Sequence, residues 1–188
     1  MIKDWTKVSE GAHGTIRKVH VLYNGFDGYV CIKLYTEQWK DAYVRESSAY
    51  ALLVHRGIKR CIPEIHYAGE LSRSRWDGEQ PEYTNPDEIL YGIVMEFFED
   101  CEELDLRRLT LPLAEVIARA LRQIHEARVL HNDLAERNIL LVRESGQIRV
   151  VWVDFSCAWS GKMGRPLLWE YRGLVGMFSK ALVHLQAT

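Results

Sequence analysis

The sequence predicts an α+β fold in two parts, a meander of antiparallel strands with one helix followed by a mainly helical half. Three observations carry that prediction. Val19, Val21 and Tyr23 alternate with polar or smaller residues and lead through a glycine turn into the apolar run Tyr29-Val30-Cys31-Ile32-Lys33. Leu113, Val116, Ile117, Ala120, Leu121 and Ile124 recur at three- and four-residue steps, the period of a helix with one apolar stripe. Between His131 and Phe155, the polar residues Asp133, Asn138 and Asp154 sit in apolar strand and turn sequence. Burial there costs free energy unless each polar group has a partner.

Bulk properties narrow the class. A chain of 188 residues fits one domain or a small two-lobed one and can bury a core without staples. Its 47% hydrophobic and 27% charged composition is ordinary for a globular protein. A formal net charge of −2 argues against nucleic acid or an anionic membrane as the main partner. Cys31, Cys61, Cys101 and Cys157 lack CxxC spacing, so neither a zinc site nor a disulfide framework is indicated. The N-terminal residues have no apolar signal core and no later run approaches a membrane span, so a cytoplasmic or nuclear location is expected.

Taken in order, residues 7–34 read as a β-meander, with Asn24-Gly25-Phe26-Asp27-Gly28 as its second turn. The first turn holds Gly11 and Gly14 and leads to Ile16. Two glycines three apart let backbone N–H groups approach a phosphate, and equally satisfy a plain turn. Lys33 lies inside a strand, where its head group must snorkel out or pair. Residues 37–56 form a predicted helix closed by Gly57, with Trp39, Tyr43, Tyr50 and Leu53 on one face and Glu46 in the middle of that stripe. Glu46 either pairs with Lys33 or meets Arg45 or Lys40 at the rim.

Residues 62–69 read as a turn entering another strand, and 72–88 as a polar surface loop. Residues 90–98 form a further buried strand. The acidic cluster Glu99, Asp100, Glu102, Glu103 and Asp105 reads as a solvated linker, with a basic substrate or a ribose as its functional alternative. Thr110 and Pro112 open the clearest helix, running to about Ala127. Glu144-Ser145-Gly146-Gln147 makes a hairpin turn, and 157–166 a loop containing Lys162 and Arg165. The final helix spans 167–186, with Leu174, Phe178, Ala181, Leu182 and Leu185 on one side and Glu170 joining them as a further buried carboxylate.

The three polar residues suggest chemistry. Asp133 and Asn138 stand five apart on one turn-rich loop, and Asp154 follows the buried run Val150-Val151-Trp152-Val153. An amide and a carboxylate brought together by one hairpin suit a hard cation with oxygen ligands. Asp133 is then left to accept a proton from a nucleophile.

The order of these signals resembles the eukaryotic protein kinase-like fold over about residues 7–160. The strongest match is His131-Asn132-Asp133 through Asn138-Ile139-Leu140, and Leu134-Ala135 with Arg137-Asn138 looks like the tyrosine-kinase wording. The resemblance implies a single kinase-like domain, with residues 1–98 as an N-lobe of antiparallel sheet plus one helix and 99–188 as a shortened, mainly helical C-lobe. It implies ATP and Mg²⁺ as cofactors and an unidentified protein substrate. Asp133 would take the acceptor proton, and Asn138 and Asp154 would hold Mg²⁺. Lys33, paired with Glu46, would contact the α- and β-phosphates under Gly11 and Gly14. Glu96, Phe97 and Phe98 would form the adenine hinge beside Met95, and Cys31 and Leu140 would sandwich the ring, with Ile16 also lining the ATP site. His131, Phe155 and Tyr50 would stack in the column joining the lobes.

The departures matter as well. Ser9 replaces the first loop glycine, Asn132 the arginine before the catalytic aspartate, Ser156 the glycine after Asp154-Phe155, and Ala135 a common lysine whose charge Arg137 or Lys162 would supply. With Asn132 in that place, activation by a loop phosphate is not expected. No Ala-Pro-Glu motif follows, which resembles the smallest atypical, bacterial-style or fungal kinase-like proteins. The leading expectation is a minimal protein kinase. The alternatives are a small-molecule phosphotransferase of the aminoglycoside or choline kinase type, and an inactive pseudokinase acting as a binding module.

Overall fold

The computed structural model describes residues 2–10, 13–23, 25–71, 90–161 and 163–186. Gly11, Lys162 and the loop at 72–88 lie outside the described residues, as do the side chains of Tyr23, Leu182 and Leu185. The architecture is α+β, with antiparallel sheets and few helices. The chain divides into two compact units, Met1–Ser47 with Glu64–Phe97, and Ser48–Pro63 with Phe98–Thr188.

The first unit is built on a five-stranded sheet of order β1-β2-β3-β5-β4, from β1 (Ile2–Glu10), β2 (Thr15–Tyr23), β3 (Phe26–Thr36), β4 (Ile65–Leu71) and β5 (Leu90–Glu96). Every neighbouring pair is antiparallel. The two-residue periodicity of a strand sorts its faces. Val19, Val30, Ile32 and Leu34 bury one face, with Val21, Leu71 and Val94 against them. Cys31, Lys33 and Tyr35 therefore point to the other face. There Tyr35 and Tyr91 are register partners, and Tyr43 of α1 (Lys40–His55) stacks on Tyr91 at 5.0 Å between ring centroids. These rings carry the start of α1, whose residues to Ser47 belong to this unit.

The helix predicted from residue 37 begins as a 3-10 turn, Glu37–Trp39. Three residues per turn instead of 3.6 take Trp39 out of phase with the buried stripe, so it is exposed and meets His13 edge-on. Gly57 closes α1 in the left-handed region, as predicted.

The second unit holds the three-stranded sheet β6-β8-β9, from β6 (Cys101–Glu103), β8 (Ile139–Glu144) and β9 (Gln147–Trp152), and a two-stranded ribbon of β7 (Val129–Leu130) with β10 (Trp159–Ser160). The β8–β9 turn has Ser145 at φ 50 and Gly146 at φ 81, the left-handed pair that two-residue hairpins favour. α2 (Leu111–Glu126) is capped by Thr110, whose hydroxyl accepts the Leu113 N–H. Ile117, Leu121 and Ile124 of α2 are fully buried, whereas Val116, predicted on the same stripe, lies at its exposed margin. Arg149 donates to the Arg60 and Ile62 carbonyls and ties the chain after α1 to β9.

Two further expectations change. The acidic stretch is not a bare linker, because Cys101–Glu103 pairs with β8 and Glu102 binds both Arg108 and Arg143. The loop expected at 157–166 contains β10, and the last helix, α3 (Arg165–Gln186), starts two residues early at an Arg-Pro step. Proline at a first helical turn loses no hydrogen bond. Leu174, Phe178, Ala181 and Glu170 of α3 are buried as predicted.

Candidate functional site

In the first unit, sheet register places Ile16 opposite Lys33 and Cys31 opposite Met95, so these four residues share one face. Lys33 is 3% exposed and donates to Glu46 at 2.8 Å, and Glu46 is wholly buried. Of the two partnerships open to Glu46 from sequence, the one with Lys33 forms. The Tyr35 hydroxyl donates to the same Glu46 oxygen, which the sequence reading missed. The signal was present: Tyr35 lies two residues after Lys33, on the same face of the strand. A buried carboxylate with an ammonium and a hydroxyl on it is a firmly placed group.

Gly14 stands where an added Cβ would come 2.4 Å from the Leu34 carbonyl oxygen. Close backbone approach alone therefore requires a glycine there. Glu96 both donates its N–H to the Glu64 carbonyl, at 2.8 Å, and accepts the Glu64 N–H on its carboxylate, at 3.0 Å. That pair of hydrogen bonds pins the end of β5.

In the second unit, the loop after β7 carries Asp133 and Asn138. Asp133 Oδ2 accepts from Arg137 Nη2 at 2.8 Å and from Asn138 Nδ2 at 2.9 Å. Asn138 also donates to the Asp133 carbonyl, at 2.9 Å, and is 2% exposed. With the amide nitrogen committed to Asp133, the amide oxygen of Asn138 is left as the ligand end. The Val153 N–H donates to the Asn138 carbonyl at 3.0 Å, bringing the end of β9 to this loop. Asp154 follows in the left-handed region, φ 62, and its Oδ1 accepts the Ser156 N–H. Arg137 sets a positive charge against Asp133, while Lys162, the other residue open to that part from sequence, lies outside the described residues.

Phe155 is fully buried, with its ring 4.6 Å from His131 and 5.0 Å from Tyr50. The expected stack of these three residues is present within this unit. His131 donates through Nε2 to the Val153 carbonyl, 2.9 Å away. Burial holds its pKa below the ordinary imidazole value, against the pull of that bond and of Glu170, Asp154 and Asp133. Leu140 is half-buried on β8, and the Arg149 guanidinium lies over the Phe98 ring.

Asn138 and Asp154 fit a magnesium ion carried with a nucleotide. Both are oxygen donors, and Mg²⁺ is commonly held by one or two carboxylates plus substrate phosphates and water. No cluster of three or more His, Cys, Asp or Glu side chains suited to a metal occurs among the described residues. None of the four cysteines forms a disulfide, and burial pushes the Cys61 thiol up to about 11, so it is unreactive at neutral pH.

A family model described as the lipopolysaccharide kinase (Kdo/WaaP) family matches residues 96–164, the stretch that contains Asp133, Asn138 and Asp154. Over that stretch the chain resembles a kinase family. It is also 24% identical over 170 residues to a protein described as protein kinase gsk3 of Schizosaccharomyces pombe. That similarity covers 85% of this chain and 39% of the relative, so the chain spans about two-fifths of the relative's length. No helix among the described residues is long and apolar enough to cross a membrane.

Proposed function

We propose that this protein is an ATP- and Mg²⁺-dependent phosphotransferase that moves the γ-phosphoryl group to a hydroxyl, with a serine, threonine or tyrosine of a protein as acceptor. The supporting observation is the arrangement about Asp133, whose Oδ2 is held by Arg137 and Asn138. Asp133 orients the acceptor O–H and takes its proton as the new P–O bond forms and the bond to ADP breaks. Arg137 holds that carboxylate in place through a charge-assisted hydrogen bond. Lys33, oriented by Glu46, binds the α- and β-phosphates. Asn138 and Asp154 hold Mg²⁺, which when bound neutralises phosphate charge. Ile16, Cys31 and Met95, on one face of the first unit's sheet, are that unit's contribution to adenine binding, with the Glu96 backbone as its polar edge, and Gly14 is its contribution to phosphate binding. The protein works in the cytoplasm or nucleus.

Asn132 stands where a phosphate-binding arginine would, and its side chain donates to the Cys157 carbonyl at 3.2 Å. The loop needs no phosphate, so treatment with a nonspecific phosphatase leaves the transfer rate within about twofold.

The match over residues 96–164 favours a second reading, in which the acceptor is a sugar or other small-molecule hydroxyl. An acceptor panel separates the two. Labelled γ-phosphate appearing in a generic protein or in the chain itself supports the first, and transfer only to free sugars supports the second. Mg·ATP binding without any transfer means a pseudokinase, and no binding in a thermal-shift titration contradicts both enzyme readings.

A further inference from the structure

Tyr35 touches both members of the Lys33–Glu46 pair, and all three residues belong to the first unit. Its hydroxyl donates to Glu46 Oε2, the same oxygen that accepts from Lys33 Nζ at 2.8 Å. The Lys33 ammonium also lies over the Tyr35 ring, 5.4 Å from its centroid. Glu46 Oε1 is buried and has no hydrogen-bond partner among the described residues, so both donors meet at one end of the carboxylate. Tyr35 is itself fully buried and is held from the helix side by Tyr43, whose ring meets it edge-on at 5.8 Å. Tyr43 stands about one turn before Glu46 on α1.

Packing at this place calls for a ring and not for a hydroxyl. Phenylalanine would keep the contact with Tyr43, and a buried hydroxyl costs free energy unless it finds a partner. The partner it finds is the carboxylate paired with Lys33. A carboxylate tethered only by a flexible lysine can turn about its last side-chain bond and carry the ammonium with it. A second donor from the same strand face, two residues along, stops that rotation and fixes where the remaining ammonium protons point. The hydroxyl also draws on the carboxylate's charge, so the pair does not neutralise the ammonium in full. We propose that Tyr35 is a positioning residue for nucleotide binding, its hydroxyl fixing the Glu46 carboxylate that aims the Lys33 ammonium at the phosphates. This rests on the phosphotransferase reading above.

Tyr35→Phe removes the hydroxyl and keeps the ring. The expected result is a variant that still unfolds cooperatively but binds Mg·ATP about tenfold more weakly, the scale of one charge-assisted contact set out of line. In a Lys33→Met background the same change should alter the remaining affinity by less than about twofold, because the hydroxyl acts through Lys33. Nuclear magnetic resonance of protein labelled with ¹⁵N-lysine supplies a readout independent of activity. The buried, hydrogen-bonded Lys33 ammonium gives a resolved signal in the wild type, and that signal shifts or broadens in Tyr35→Phe. The proposal is overturned if Tyr35→Phe keeps wild-type affinity, or weakens binding without altering the Lys33 signal. It is equally overturned if the loss is as large in the Lys33→Met background, or if Tyr35→Phe no longer unfolds cooperatively, which is a merely structural role. A wild type that binds Mg·ATP through the Tyr35-dependent Lys33 but transfers nothing supports the proposal while contradicting the phosphotransferase reading. A wild type that binds no Mg·ATP contradicts both.

Discussion

Lys33 and Glu46 form a buried ion pair, 2.8 Å from ammonium to carboxylate, with Tyr35 donating to the same oxygen. The pair is structural, because removing one charge strands the other away from water. Lys33→Met alone is therefore expected to cost about 3 kcal/mol of stability, the scale for breaking a buried pair. Lys33→Met with Glu46→Leu recovers most of that loss and none of the nucleotide affinity. Denaturant unfolding and ATP titration of the two singles and the double complete the cycle.

Asp154 is expected to govern metal use and not folding. Asparagine tolerates its left-handed backbone, φ 62, and retains an oxygen for the Ser156 N–H. Asp154→Asn should raise the Mg²⁺ concentration for half-maximal ATP binding at least about tenfold, since a ligand charge is lost, while Tm moves by only a few degrees. A metal requirement unchanged by the substitution removes Asp154 from the metal site.

How much of this was readable beforehand depends on how local each signal is. The strand alternation around Lys33, the cap at Thr110 and the turn at Ser145-Gly146 are set by neighbours in sequence, and all appear where expected. The loop from His131 to Asn138 was likewise readable, because its polar residues stand out against apolar strands. Trp39 was misplaced because a 3-10 turn shifts helical phase without changing composition. The bonds from Glu170 to Asn132 and His125 span 38 and 45 residues, and only burial of Glu170 could be anticipated. Nothing in periodicity tells a buried carboxylate which distant amide it meets.

His131 sets an expected pH dependence. Its folded-state pKa lies below the ordinary 6.5 because the ring is desolvated. Below that value the unfolded chain takes up a proton that the folded chain resists. Its contribution is whole above about pH 6.5 and is lost progressively as the pH falls below it. Tm should therefore decline between pH 7 and 5, and His131→Gln, though less stable, should show a flatter decline. Equal slopes in the two proteins would assign the acid sensitivity to other groups.

The central claim is that Asp133 takes the acceptor's proton in phosphoryl transfer from Mg·ATP. The most direct measurement is single-turnover transfer of labelled γ-phosphate by purified protein, wild type beside Asp133→Asn, with ATP affinity measured on the same samples. The expected result is transfer by the wild type and at least about a 100-fold slower rate in Asp133→Asn, with ATP affinity within about threefold, as for loss of a general base. Equal rates in the two proteins, or ATP bound tightly by a wild type that transfers nothing, would contradict it.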